Sequence, residues 1–265
     1  MNDYLIFSDL EGTLLRHDTH DFSEASKVLK YLNDKRIPLV LATTKTYSEV
    51  TSLQKKLNIN CPFIVENGAG IFIPSGSVLT SDAQKGESWI KIGSAKSYLE
   101  LRSCFEKLKR SYPIRGFGDM EVDEIIYLTS LDKESATHTK ERDFTEPFVI
   151  DGEIDMDSLK KDAQAEGLDI VKGKRFYHLI SQGHSKAKAM LHVASLFEKH
   201  FAMKLIKIAL GDSENDFSML KSADVGILIP SYSGAYADIN DETIIKAPFA
   251  GPRGWNEALL EVLDV

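Results

Sequence analysis

An apolar run, Tyr4-Leu5-Ile6-Phe7, ends abruptly at Ser8-Asp9-Leu10-Glu11-Gly12-Thr13-Leu14-Leu15. A stretch this apolar reads as a strand buried on both faces, as in parallel sheets covered by helices. A carboxylate at its exit then lies at the carboxyl edge of the sheet, where open α/β folds bind ligands. Gly12 and Thr13 permit a sharp turn that leaves backbone N–H groups facing an anion. Asp9 is placed to attack an electrophile, and Glu11, two residues on, to handle a proton. The string fits a phosphoryl-transfer site working through an aspartyl-phosphate. Taken alone, it also fits an ordinary strand-to-loop turn.

The same grammar continues along the chain. Asp21-Phe22-Ser23-Glu24 opens a helical pattern through Val28, Leu29 and Leu32, with Ser23 or Asp21 as its cap. Ile37–Ala42 reads as a second buried strand, ending at Thr43-Thr44-Lys45-Thr46, and Thr46 caps a helix carrying Val50, Leu53 and Leu57. Phe63-Ile64-Val65 is a third strand that stops at Glu66-Asn67-Gly68. Together these make a βαβαβ half of a doubly wound sheet.

After about residue 80 the segments become more polar and mixed. Helix-like stretches are Ser94–Tyr112, Glu121–Thr129 and Asp157–Glu166; strand-like pieces are Trp89–Ile92, Pro147–Ile150, Asp169–Val171 and Phe176–Ile180. The core pattern returns after Gly183, with a helix from Ser185 to about Phe197, strands at Ile206–Leu210 and Val225–Ile229, and a terminal helix, Trp255–Val262. The expected fold is α/β: a Rossmann-like, doubly wound parallel-sheet core of residues 1–82 and 183–265, interrupted by a small α/β domain, 83–182. The crossings near Ser81 and Gln182 are the candidate hinges.

Composition narrows the partners. The 265 residues are 43% hydrophobic and 27% charged, as in a soluble globular protein. A net charge of −8 argues against nucleic acid, which calls for a basic face. No apolar run approaches the ~20 residues of a membrane span, and residues 1–8 are too short for a secretory signal. Cys61 and Cys104 stand far apart without metal-type spacing, and read as reduced thiols of a cytoplasmic protein.

Three further constellations carry chemistry. Thr43, at the exit of a buried strand, can donate to a phosphate oxygen or simply cap the next helix. Lys186, in Gly183-His184-Ser185-Lys186-Ala187-Lys188, opposes the helix dipole unless it faces an anion; Lys188 is the obvious decoy. Gly211-Asp212-Ser213-Glu214-Asn215-Asp216 crowds acidic groups after a strand, an arrangement that favours a cation such as Mg²⁺.

Taken in order, these elements resemble the haloacid dehalogenase superfamily of phosphatases, and the insert resembles a C2-type cap. Glu66-Asn67-Gly68-Ala69, Gly116-Phe117-Gly118-Asp119-Met120, Lys140–Phe148, Arg175-Phe176-Tyr177-His178 and Gly251–Glu257 are similar to mannosyl-3-phosphoglycerate phosphatases, a likeness that covers nearly the full chain.

That resemblance implies Asp9 as nucleophile, Thr43 and Lys186 on the phosphoryl oxygens, and Mg²⁺ held by Asp9, the main-chain carbonyl of Glu11 and Asp212, with Asp216 near or behind it. Glu11 stands where the family carries Asp as acid and base, one methylene longer. The substrate is then a small phosphorylated glycosylglycerate, mannosyl-3-phosphoglycerate first, cleaved to mannosylglycerate and phosphate. Arg175 and His178 suit its carboxylate. Glu66, Asn67, Arg142 and Glu146 suit its hydroxyls or cap closure, with Thr44, Lys45 and Asn215 alongside. Arg142 and Glu146 also have the i,i+4 spacing of a surface helix pair. The glucosyl epimer, another sugar phosphate, or a weakly active binding module are the alternatives, and oligomeric state is left open.

Overall fold

The computed structural model describes residues 3–74, 77, 79, 89–92, 95–173 and 175–265, with residues 89–92 given as backbone. The first segment runs β1 (Tyr4–Ser8), α1 (Ser26–Lys35), β2 (Leu39–Ala42), α2 (Tyr47–Leu57), β3 (Phe63–Val65), β4 (Gly70–Pro74) and β5 (Trp89–Ile92). Then follow α3 (Tyr98–Leu108), β6 (Ile114–Gly116), α4 (Val122–Thr129), α5 (Lys133–Lys140), β7 (Thr145–Ile150), α6 (Met156–Ala165), β8 (Leu168–Lys172) and β9 (Tyr177–Ser181). The chain closes with α7 (Lys186–Phe201), β10 (Ile206–Gly211), α8 (Phe217–Ser222), β11 (Val225–Leu228), β12 (Ile245–Lys246) and α9 (Gly251–Val262).

Eight strands form one sheet in the order β12-β11-β10-β1-β2-β3-β4-β5. From β12 to β3 the pairs are parallel, and β4 and β5 add an antiparallel edge. Side chains alternate across each strand, so β1 sends Ile6 to one face and Leu5 and Phe7 to the other. The first face packs on Val28 and Leu32 of α1, Val50 of α2 and Trp255 and Leu259 of α9. The second packs on Met190, Val193 and Phe197 of α7 and Met219 of α8. Covered on both sides, β1 is sealed along its length and opens only at its carboxyl end.

The cap is a second sheet, β6-β7-β9-β8, with antiparallel pairs throughout. Helices α3 and α6 cover one face through Leu101, Phe105, Leu159 and Ala163. The α4–α5 hairpin forms a smaller cluster with Phe117 and Phe176. α5 also reaches the core, where the Thr46 hydroxyl donates to the His138 carbonyl at 3.0 Å.

Two local expectations are corrected. Trp89–Ile92, expected in the insert, pairs with β4 and is the edge of the core sheet. Its mixed polarity suits an edge strand, which the sequence pattern does not separate from a cap strand. Ser23 and Asp21 do not cap α1: Asp21 accepts from the Ser23 N–H in a short turn before it. The α1 amide of Val28 is met instead by Asn256 Oδ1, at 3.1 Å, from α9. Thr46 does cap α2, in a capping box with Glu49. Of the candidate hinges, Ser81 lies outside the described residues, and Gln182 directly follows β9.

Candidate active site

Asp9 leaves β1 at the carboxyl edge of the sheet, its N–H held by the Leu210 carbonyl of β10. Its Oδ1 lies 2.6 Å from Lys186 Nζ, the first residue of α7. The same ammonium is 2.7 Å from Asp216 Oδ1. Asp216 Oδ2 accepts in turn from the N–H groups of Asp212 and Ser213, which fixes the loop after β10. That loop demands glycine at 211, because a Cβ there would stand 2.4 Å from the Asp216 Cβ. Gly12 is required similarly: it has φ +83° and an added Cβ would be 2.3 Å from Asp212 Oδ2.

Asp9, Asp212 and Asp216 are all buried and each offers an oxygen within 4.8 Å of the others'. Against these carboxylates Lys186 brings a single charge. Burial, opposed by Lys186 and reinforced by Asp216 and Asp212, pushes Asp9 up to about 8. Burial also raises Asp216. Lys186 loses by burial but gains more from Asp216 and Asp9, so its proton is held more firmly than usual. His17 Nε2 lies 3.7 Å from Asp212 Oδ2 at the edge of the cluster.

Glu11, on the turn after Asp9, is half-buried. Its Oε1 lies 3.0 Å from Lys45 Nζ and 3.3 Å from His20 Nε2. Burial would raise its carboxyl, but Lys45 and then His20 outweigh it and hold the group well below the ordinary range. Lys45 is clasped on its other side by Glu49 Oε1 at 2.9 Å.

A family model of haloacid dehalogenase-like hydrolases matches residues 6–247. The chain belongs to the haloacid dehalogenase-like hydrolases. Over 263 residues it is 44% identical to the glucosyl-3-phosphoglycerate/mannosyl-3-phosphoglycerate phosphatase of Persephonella marina, covering 98% of this chain and 97% of that one. A protein of the same name from Methanococcoides burtonii is 34% identical over 268 residues, covering 98% and 97%. Among solved structures, Thermoplasma acidophilum 0175 superposes with a TM-score of 0.72 at 18% identity, covering 100% of this chain and 99% of that one. The sucrose-phosphatase of Synechocystis sp. PCC6803, in complex with sucrose and phosphate, gives 0.64 at 16% identity, covering 100% and 99%. Family and relatives together make the chain a phosphoric monoester hydrolase, and the solved structures share its fold.

The hydrolase has an open cavity between core and cap. Of the expected site residues, Asp9, Glu11, Thr44, Lys45, Arg142, Arg175, His178, Asp212 and Asn215 line it. His178 is neutral: burial, with Arg142 and Lys186 nearby, pushes it down to about 3. Its Nδ1 has no hydrogen-bond partner among the described residues. Arg175 is exposed and donates one N–H to the Thr129 carbonyl at 2.9 Å.

Thr43, Asn67 and Glu66 stand behind that lining. Thr43 is buried and its Oγ1 accepts from the Lys45 N–H at 3.2 Å. Asn67, at φ +60°, accepts from Asn215 Nδ2 at 3.0 Å. Glu66 takes the N–H groups of Asp143, Phe144 and Thr145 and the Thr145 hydroxyl, tying core to cap. Arg142 bridges the same seam, with Nη1 on the Thr44 carbonyl at 2.8 Å and Nε on Thr139 at 3.0 Å. It sits in a loop and Glu146 in β7, so the two are no helical surface pair.

Glu146, expected at the substrate hydroxyls or in cap closure, does not line the cavity: it points to the helix-covered face of the cap sheet, because β7 alternates and Pro147 is the residue facing the cavity. There Glu146 accepts from Gly118 N–H at 2.8 Å and lies 3.2 Å from Arg102 Nη1. Conversely, His17, His20, Glu49, Phe117 and Ser213 were not expected. A Thr-x-x-Glu string at 46–49 marks Glu49 as a cap; the others come together through tertiary structure.

The acidic cluster fits a hard divalent cation by its donor set. Asp9 and Asp212 offer carboxylate oxygens beside the cavity, where Mg²⁺ takes oxygen ligands and keeps water and phosphate as the rest. Asp216 has both oxygens engaged with Lys186 and loop amides, so it suits a supporting place.

Proposed function

We propose that this hydrolase is a Mg²⁺-dependent phosphatase of glycosyl-3-phosphoglycerates, taking the mannosyl and the glucosyl compound, through an aspartyl-phosphate on Asp9. One observation carries the reading: Asp9, buried and 2.6 Å from Lys186, stands beside Asp212 at the floor of a core–cap cavity. Relatives aligned over 98% of the chain carry that substrate pair in their names.

Asp9 Oδ attacks phosphorus as the ester P–O bond breaks, and the leaving glycerate oxygen takes a proton from Glu11. Water then attacks the acyl phosphate while Glu11 receives its proton, which frees phosphate and restores Asp9. Lys186 holds a phosphoryl oxygen and keeps Asp9 aimed, since stabilisation by prepositioned charge dominates phosphoryl transfer. Thr43 supports the same pocket from behind. A divalent cation between Asp9 and Asp212 would neutralise repulsion between nucleophile and phosphate. Lys45 and His20 leave Glu11 ionised in the free enzyme, the form that activates water. An arriving phosphate dianion raises its proton affinity, as leaving-group protonation requires. Arg175 suits the glycerate carboxylate, and Asp216 fixes Lys186 and the Asp212 loop.

Phosphate release from mannosyl- and glucosyl-3-phosphoglycerate, with and without Mg²⁺, tests this. Turnover needs the metal and vanishes in Asp9→Asn; an Asp9→Asn protein that still turns over refutes the reading.

A further inference from the structure

The cavity has two unlike sides. The core side carries Asp9, Glu11 and Asp212 with Lys45, whereas the cap side sets Phe117, Leu131, Pro147 and Phe176 beside Arg142, Arg175 and His178. Phe117 and Phe176 meet edge to face, with ring centroids 4.9 Å apart and planes at 79°. They come from separate segments. Phe117 follows β6, and Phe176 sits in the turn between β8 and β9, where its carbonyl accepts from Gly173 N–H at 2.9 Å. Met120, Ile125 and Ala136 back the pair. Glu146 fixes the Phe117 turn through the next amide, Gly118. Packing alone accounts for a buried Phe117, but Phe176 is half-buried and both rings line the cavity.

Some polar groups on this side are engaged within the protein: the Thr129 hydroxyl donates to the Ile125 carbonyl at 2.5 Å, and Arg142 donates to Thr139 and Thr44. Arg175 and His178 Nδ1 stay open to a ligand's polar groups.

The geometry points to Phe176, propped edge to face by the buried Phe117, as a stacking platform for the apolar face of the substrate's pyranose ring, held there while the phosphoester reaches Asp9. This inference rests on the glycosyl-3-phosphoglycerate reading and says how that substrate is held. One face of a pyranose presents mainly C–H groups, which match an aromatic surface by dispersion and exclusion of water. Contact of this kind senses the ring plane. Mannose and glucose differ in the orientation of a single hydroxyl, so the platform accepts both. A site that hydrogen-bonded that hydroxyl would reject the other epimer far more strongly.

Phe176→Leu keeps apolar volume and removes the flat ring, and Phe176→Tyr restores it. For the unmodified protein and both variants, kcat/KM is measured on mannosyl-3-phosphoglycerate, glucosyl-3-phosphoglycerate and acetyl phosphate, which has no ring. The ratio of each glycosyl ester to acetyl phosphate falls about tenfold in the Leu variant, equally for both epimers, and recovers in the Tyr variant. An unchanged ratio in a folded Leu variant overturns the platform alone, as does loss confined to one epimer. An unmodified protein that hydrolyses acetyl phosphate but neither glycosyl ester defeats the substrate reading, and the platform with it.

Discussion

Glu11 and Lys45 face each other at 3.0 Å, and Lys45 is gripped from behind by Glu49. Glu11 is thus drawn to one side by a buried cation. Removing that cation in Lys45→Met raises the proton affinity of Glu11, because its ionised form loses its principal partner. The acid limb of kcat, set by the ionised Glu11 that activates water against the aspartyl-phosphate, then moves to higher pH, so turnover is lost sooner on acidification than in the unmodified enzyme. A pH–rate profile checks this, and coincident limbs would contradict it.

Replacing Glu11 itself separates chemistry from charge. Glu11→Gln keeps the shape and can no longer exchange a proton, so kcat falls by about 10²–10³. Glu11→Asp restores the carboxylate at the family's usual length and retains turnover. Single-turnover kinetics should place the Gln defect in either half of the reaction; a Gln variant with full kcat removes Glu11 from the mechanism.

The acidic cluster makes stability depend on pH in a defined direction. Burial pushes Asp9 up to about 8 from an ordinary value of 3.8. The folded, metal-free protein therefore holds a proton that the unfolded chain releases. The stability from this group is fully present below about pH 4, and is lost as pH rises through about 8. In EDTA, Tm should decline over that window, and Asp9→Asn should lack the decline and melt higher near pH 8, on the order of 5 °C. Mg²⁺ raises Tm of the unmodified protein and has less effect on Asp212→Asn. A Tm in EDTA that rises from pH 5 to pH 8 by way of Asp9 would falsify the assignment.

How far the sequence foretold this site depends on the type of element. Asp9 and Lys186 were legible because a strand exit and a helix start are local signals, and a doubly wound sheet brings such edges together. Glu66 was legible as a polar group at a strand end, though its partners, the 143–145 amides, needed the cap in place. Glu146 could not be given a face from the sequence because its side of β7 depends on register, which a short string with Pro147 does not fix. His17, His20 and Phe117 gave no periodic signal: only the folded chain sets His17 and Phe117 at the cavity and His20 beside Glu11. The β4–β5 edge fails for a related reason, since antiparallel pairing depends on the chain between the strands.

Trp255 reaches Asp9 through Ser8. Its Nε1 donates to Ser8 Oγ at 3.0 Å, and Ser8 Oγ donates to the Asp9 carbonyl at 2.6 Å. Trp255→Phe keeps most of the buried ring and breaks the chain of bonds, leaving the Ser8 hydroxyl to reorient. We expect a stability loss of about 1–2 kcal/mol from the lost bond and partial void, with kcat lowered and KM little changed. Denaturant melts and steady-state kinetics measure the two effects; loss of stability with unaltered kcat would confine Trp255 to packing.

Glu66 accepts four hydrogen bonds from residues 143–145 of the cap and is fully enclosed. Glu66→Ala leaves three backbone N–H groups without their acceptor and Arg142 without its buried counter-charge, 3.9 Å away. Stability should fall by about 3 kcal/mol. The loss is local to the seam, so amide exchange should speed up at 143–145 well before it does in β1 or β10, whose ladders are intact. Cap docking weakens with it, and KM for the glycosyl esters rises more than kcat falls. Glu66→Gln, which still accepts but carries no charge, should lie between the two. Exchange that accelerates uniformly across core and cap would show that Glu66 stabilises the whole fold rather than holding the cap against the core.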